Sequence, residues 1–393
     1  MIAPRVNEMT IPTVWLALGL AAASGCGGRT EFQATSQASA GQVGTGGASG
    51  AGTGGGPTEC TCRIGAECDA NACVCSKLVC GGRCVDPQVD DAHCGACGLT
   101  CATGCKRGRC IEVLASGLRT PTALAQGRTE LYWTTTIGLM KVSKTGGSPS
   151  IFVPGNDMEG LSRAIAVDDT YVYWSGRYDS TVMRASTTTG IPEVLAENQG
   201  DVSNIVFDAA AIYWSDWQKG TIMTAPKAGG SPRALTTTAR FPKALAVDSG
   251  RIYWTEDVAQ DGAVKSMPLA GGAPLTLASG QDSPRGMGID ATHVFWTLAF
   301  DASVRRAPLG GGKVEVLSKS SPYPEHLLVD DRFLYWVSSY DVEKVGLDGG
   351  DAESLPGTEF PSDLALDENS VYFINDGAGG LEGNGTLIKL TPK

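Results

Sequence analysis

From residue 111 onward, apolar and polar residues alternate in short runs of about five, separated by clusters of Gly, Pro, Asp and Ser. This is the period-2 pattern of half-buried strands. A longer period lies over it. An aromatic pair recurs as Tyr132-Trp133, Tyr173-Trp174, Tyr213-Trp214, Tyr253-Trp254, Phe295-Trp296, Tyr335-Trp336 and Tyr372-Phe373, at steps of 41, 40, 40, 42, 40 and 37 residues. Six residues before the second aromatic stands an Asp in six copies (Asp168, Asp208, Asp248, Asp290, Asp330, Asp367), and Gly127 in the first.

Each copy reads as four short strands. In the fourth, residues 243–248, 251–255, 263–267 and 274–278 form strands a to d, with a Gly271-Gly272 hairpin between c and d. Matching glycine pairs stand at 146/147, 229/230, 310/311 and 349/350. Seven such units predict an all-β chain, a seven-bladed propeller of four-stranded antiparallel blades. The last copy stops after strand c, near 386–390, while residues 111–116 read like a strand d. The pattern therefore predicts that 111–116 pair with the C-terminal strand and close the ring, leaving no open sheet edge. The closest motif copies, Tyr213-Trp214-Ser215-Asp216-Trp217 and Tyr253-Trp254-Thr255-Glu256-Asp257, resemble the YWTD repeat of lipoprotein-receptor propellers over residues 111–393. That family normally has six blades, and seven repeats are present here.

Ahead of the repeats the pattern changes three times. Residues 1–25 read as a secretory signal whose apolar stretch, 11–23, is too short to span a bilayer. It ends in Ala23-Ser24-Gly25-Cys26, which resembles the lipobox of bacterial lipoproteins and implies lipidation at Cys26. With Gly27 next, the resemblance leans toward the outer membrane or cell surface. Residues 26–58 hold the lipidated Cys and a Gly-rich tether, with eleven Gly between 27 and 58. As a flexible coil it spans roughly 30 Å.

Residues 59–110 form a cysteine-rich module holding Cys60, Cys62, Cys68, Cys73, Cys75, Cys80, Cys84, Cys94, Cys97, Cys101, Cys105 and Cys110. The chain's thirteen Cys thus divide into one lipid site and twelve available for six disulfides. Spacing does not reveal the pairing. Cys94-x2-Cys97 also has zinc-ligand spacing, but the only nearby His is His93, and disulfides are the expected state of an exported chain.

The net charge of −11 argues against nucleic acid as a partner. Residues 111–393 carry 34 acidic and 23 basic residues, so the excess lies in the propeller. The repeated Trp read as inter-blade packing and the repeated Asp as turn caps on backbone N–H groups. Non-repeating residues are the better site candidates. Trp217 falls in a b–c loop, with Tyr178, Phe300 and Tyr340 as counterparts and Asp179, Asp216, Asp301 and Asp341 beside them. Such a face suits a protein, peptide or glycan.

The first position of strand a, at the channel mouth, is held by Thr122, Arg163, Ser203, Lys243, Arg285, Glu325 and Ser362. Arg163, Lys243 and Arg285 there predict a pocket for an anionic group, unless carboxylates such as Glu325 neutralise them. Catalysis has thin support: there are three His in all and no G-x-S-x-G, H-E-x-x-H or P-loop pattern. His326 with Glu325 is the only catalytic candidate, for a lyase or hydrolase. No cofactor is expected; the loop 375–386 has a Ca²⁺-loop composition without EF-hand spacing and reads better as a long hairpin. The expectation is a lipid-anchored envelope protein with a binding propeller, touching the membrane through its anchor alone.

Overall fold

The computed structural model describes residues 67–69, 72–74, 77–80, 83–155, 164–176, 180–377 and 383–393. Residues 58–393 form one compact unit. Among the described residues no helix is long and apolar enough to cross a membrane. The signal, the lipid site Cys26 and the tether lie outside the described residues, as do Cys60, Cys62, Cys75, Arg163, Tyr178 and Asp179.

Six four-stranded antiparallel sheets and one five-stranded sheet make the seven blades. In blade 4 the strands run Pro242–Val247, Arg251–Glu256, Gly262–Pro268 and Leu275–Gln281. Blade 7 is completed as the strand count requires. Its strand c, Gly385–Thr391, pairs antiparallel with Arg109–Leu118, in register Ile111↔Leu390 and Val113↔Ile388. A short strand Cys105–Lys106 follows on the outer edge, so the cysteine module runs without a break into the blade. The glycine turns hold with one shift: in blade 5 the residues at positive φ are Gly311 and Gly312, not Gly310 and Gly311.

Adjacent residues of a strand point to opposite faces of its sheet, and this decides where each aromatic pair goes. The Tyr packs toward the next blade and the Trp toward the previous one. Hence Tyr173 shares a core with Trp214, Tyr213 with Trp254, Tyr253 with Trp296, Phe295 with Trp336, and Tyr335 with Phe373. Tyr132 with Trp174, and Tyr372 with Trp133, complete the circle. All six repeat Trp are buried, so none is a ligand platform.

The repeated Asp caps its turn. Asp208 Oδ1 accepts the N–H groups of Ala210 and Ala211, both at 2.7 Å, and its Oδ2 accepts the Tyr213 hydroxyl at 2.8 Å. Burial alone would raise this carboxyl, but those donors hold it below the usual carboxylate range. Its partner moves the other way: burial and the neighbouring carboxylate raise the tyrosine, to about 12 at Tyr253 beside Asp248. Blade 1 lacks the Asp, and there the Tyr132 hydroxyl donates instead to Glu130, at 2.8 Å.

Innermost strands crowd as they approach the axis. A Cβ on Gly286 would stand 1.9 Å from the carbonyl oxygen of Glu325 on the next blade. Gly286 is therefore required by backbone approach, not by its φ.

In the cysteine module, Cys80 pairs with Cys97, Cys94 with Cys105 and Cys101 with Cys110. Cys84 is also disulfide-bonded. Cys94, Cys101 and Cys110 bring their sulfurs within 4.8 Å of one another, but all three are already bridged, so the zinc alternative at Cys94 and Cys97 has no free thiolates. Cys68 and Cys73 face each other in register across a two-stranded ribbon.

Candidate functional site at the channel mouth

Six of the seven positions predicted to open strand a, namely Thr122, Ser203, Lys243, Arg285, Glu325 and Ser362, line one central cavity of about 870 Å³. Ser203, Lys243, Arg285 and Ser362 are in fact the second residues of their strands, and Thr122 and Glu325 lie two residues ahead of Leu124–Gln126 and Leu327–Val329. The seventh, Arg163, lies outside the described residues. Local backbone explains why these side chains reach the cavity. Strand a carries a register shift at its start in blades 3, 4, 5 and 7, between Val202/Asn204, Pro242/Leu245, Pro284/Met287 and Pro361/Asp363. A bulge of this kind re-aims a side chain out of the sheet alternation.

The mouth is electrostatically uneven. On the side of blades 5 to 7 its charges are matched. Arg285 pairs with Glu325 through Nη1, and its Nε lies 3.6 Å from Asp257 Oδ2. His326 Nδ1 contacts Asp363 Oδ1, while Asp363 Oδ2 accepts the Leu124 N–H at 2.6 Å. Asp363 thus bridges blades 6, 7 and 1. Burial opposes protonation of His326, but the Asp363 carboxylate, with help from Glu325, outweighs it and holds the imidazole above its ordinary range. Glu325, offered with His326 as an acid–base pair, is instead taken by Arg285, and the direct partner of His326 is Asp363.

In most blades a hydroxyl after the Trp joins neighbours at this level. Thr255 Oγ1 accepts the Ala244 N–H at 3.0 Å and donates to Arg285 O at 3.0 Å. Thr297 does the same with Gly286 and Glu325, at 2.8 and 3.1 Å. Blades 6 and 7 have Val337 and Ile374 at this position. His326–Asp363 and the Ser362 hydroxyl, which donates to Pro121 O at 2.9 Å, stand in for it.

Above the mouth, on the face of the b–c and d–a loops, the sequence-predicted aromatics do not stand alone. Trp217 packs on Phe241 at 4.9 Å between ring centroids, Phe300 on Tyr323 at 6.1 Å, and Tyr340 on Phe360 at 5.9 Å. Each pair joins the b–c loop of one blade to the d–a loop of the next. Phe241, Phe300, Tyr323, Tyr340 and Phe360 are 45–57% exposed, and Trp217 is half-buried against the cavity. Phe241, Tyr323 and Phe360 were not legible as site residues, although each precedes a proline: Pro242, Pro324 and Pro361. All three have positive φ, 48°, 54° and 53°. Such a conformation is a true outlier for a bulky side chain and costs about 1–3 kcal/mol. The aspartates expected beside the aromatics are occupied internally. Asp216 is fully buried and accepts the Gly200 and Lys219 N–H groups at 2.6 and 2.9 Å. Asp301 takes Ser303, Arg305 and Lys319, which together hold its carboxyl down at about 2 against the opposing effect of burial.

The sequence matches no protein-family model, and no curated protein matches it. Among solved structures, the chain is similar to virginiamycin B lyase from Staphylococcus aureus, at 12% identity and a TM-score of 0.59, covering 72% of this chain and 100% of that one. The WD40 propeller domain of Doa1 is similar at 13% identity and 0.57, over 71% of this chain and 96% of that one. A chain of a nidogen/laminin complex aligns at 22% identity and 0.49, over 58% and 94%. The likenesses to the lyase and to Doa1 bear out the propeller fold and leave the chemistry of the mouth to this chain's own residues.

Proposed function

We propose that this is an exported, lipid-anchored envelope protein whose propeller is a binding module, with its ligand, a protein, peptide or glycan, held on the loop face around the channel mouth. The observation that carries the reading is the set of three aromatic pairs round a central cavity whose mouth is charged. Positive φ belongs to the loop position of Phe241, Tyr323 and Phe360 in other blades too, at Thr120 and Ser283, but only in these three does it carry rings that stand about half exposed, surface that contributes little to folding. Their joint presence on one face is what a recognition surface demands. The disulfides support an oxidising compartment. Lipidation at Cys26 would place the face a tether's length from a membrane.

The test is capture of envelope proteins and glycans by the full chain, compared with a variant carrying Trp217→Ala, Phe300→Ala and Tyr340→Ala at matched thermal stability. Capture unchanged by the triple variant refutes the reading. Incorporation of labelled palmitate, lost in Cys26→Ser, tests the anchor.

A second reading rests on His326, a histidine with raised pKa between two carboxylates in a cavity, which suits general acid–base chemistry. A catalytically inactive virginiamycin B lyase from S. aureus, altered at a histidine, has been crystallised with quinupristin. Quinupristin is therefore the first substrate to assay with this chain and with His326→Ala. No turnover removes this substrate, and turnover that survives the substitution removes His326 as its catalyst.

A further inference from the structure

The side of the mouth formed by blades 3 and 4 differs from the rest. Lys243 and Asp201 both line the cavity and both are half-buried. Among the described residues, neither side chain has a hydrogen bond or ion pair. Other partly buried lysines of the propeller are all matched to carboxylates: Lys141 to Glu130, Lys144 to Asp367, Lys227 to Asp168, Lys265 to Glu256, Lys389 to Glu112 and Lys393 to Asp330, at 2.8–3.4 Å. Lys243 and Asp201 do not neutralise each other either, since no ion pair joins them. The position of Lys243 in strand a is Thr, Ser or Ser in blades 1, 3 and 7, so the fold does not require a cation there.

Three neighbours complete the setting. Ser203 stands at the bulge of blade 3. Trp217 is held beside this side by its backbone N–H, which donates to the Asp201 backbone carbonyl at 2.8 Å, and by the contact of its ring with Phe241. On blade 5, Arg285 is already matched, its Nη1 by Glu325 and its Nε by Asp257 Oδ2 at 3.6 Å, too long for a hydrogen bond. A charge in a partly desolvated wall is costly unless something pairs with it. Here one cation and one anion, neither paired among the described residues, share a cavity wall beside an aromatic ring. A purely anionic ligand would satisfy Lys243 but leave Asp201 against like charge, and a neutral sugar could hydrogen-bond both but neutralise neither.

We infer that the blade 3–4 side of the mouth binds a small dipolar molecule, an amino acid or short peptide. Its free carboxylate goes to Lys243, its free ammonium to Asp201, and its side chain lies against Trp217. This deepens the proposed function, on which it rests, by naming the ligand's chemistry.

The test is calorimetric titration of the full chain with phenylalanine and the tripeptide Ala-Phe-Ala, each also as its C-terminal amide and its N-acetyl form. The free tripeptide or phenylalanine should bind, and which of them binds tighter tells peptide from amino acid. Blocking either end of the tighter probe should weaken binding by at least tenfold. In Lys243→Met the free acid and its amide should bind alike while acetylation still weakens binding, and in Asp201→Asn the pattern should reverse. Both variants should melt as the wild type does. Equal affinity of blocked and unblocked probes, or no binding of either free form, overturns the inference. In that event the aromatic triple variant, scored separately by envelope capture, tells whether the wider reading falls with it.

Discussion

The Asp–Tyr cap that recurs through the blades can be weighed in isolation at Asp208. Replacing it with Ala removes three hydrogen bonds, two from Ala210 and Ala211 N–H groups in an accessible turn and one from the Tyr213 hydroxyl. Water can reach the turn amides, so their loss is modest. Tyr213 is only 5% exposed, so its hydroxyl is left largely unpaired, which costs about 1–3 kcal/mol. With the lost charge-assisted bonds the total is about 2–4 kcal/mol. Tyr213→Phe alone leaves the carboxylate its two amides and costs about 1–2 kcal/mol. The double variant has no orphaned hydroxyl, so the two changes should fall short of additivity by about 1–2 kcal/mol. Guanidinium denaturation followed by the fluorescence of the buried Trp, with disulfides oxidised, measures all three. A coupling below about 0.5 kcal/mol refutes the reasoning, because contacting residues that share one buried bond cannot be independent. The pH dependence has a fixed sign. Asp208 titrates lower in the folded chain than in the unfolded one, so its stabilisation is present above about pH 3.9 and lost as pH falls through the folded value. The wild type and Asp208→Ala should therefore converge in acid.

Gly286→Ala should cost at least about 2–3 kcal/mol, read as a fall in Tm, because its Cβ meets the Glu325 carbonyl at 1.9 Å; Gly346→Ala, with nothing within 4 Å, is the neutral control. His326 titrates higher folded than unfolded, so the blade 6–7 contact stabilises fully below about pH 6.5 and its contribution disappears as pH rises through the folded value. Tm profiles of the wild type and His326→Gln should differ in mild acid and merge above neutrality. Glu353 lies between two buried cations, Arg109 of the ring-closing strand at 2.6 Å and Lys344 at 3.5 Å. Burial would raise its carboxyl, but Arg109 holds it low. Glu353→Gln should cost about 1–2 kcal/mol, discounted from the buried-pair range because Glu353 itself is 44% exposed. That loss should show in denaturant midpoints above about pH 4.3 and vanish in acid.

How much of this was written in the sequence depends on repetition. Tyr213-Trp214 and Asp208 recur in type and spacing, so blade number, ring closure and the structural role of Trp and Asp could be read directly. The partners of Trp217, Phe300 and Tyr340 could not. Phe241, Tyr323 and Phe360 occupy a loop position that is Thr120, Asp201 or Ser283 in other blades, and they touch their partners across a blade boundary. Only the following prolines gave a local hint. Asp216 and Asp301 look like surface carboxylates in the sequence because burial and back-bonding to a loop are properties of the folded turn. Likewise, nothing local says that Glu325 chooses Arg285 while His326 chooses Asp363. That choice is set by which blades adjoin.

The pairing of Arg109–Leu118 with Gly385–Thr391 also sets an order of events. The first strand of the propeller to be synthesised can find its neighbour only after the other six blades have been made. Until then six blades' worth of polypeptide stands as an open arc with an unpaired edge at either end, and closure must overcome the entropy of the whole intervening loop. The disulfide-bonded segment is fastened to that waiting strand through Cys101–Cys110, so one edge is stiffened early while the other is still being delivered. A circular permutant of residues 109–393, carrying Cys110→Ser because its partner Cys101 is left out, that joins residue 393 to residue 109 and opens the chain at a c–d turn would make both partners local. It should close faster than the natural order without altering the finished ring.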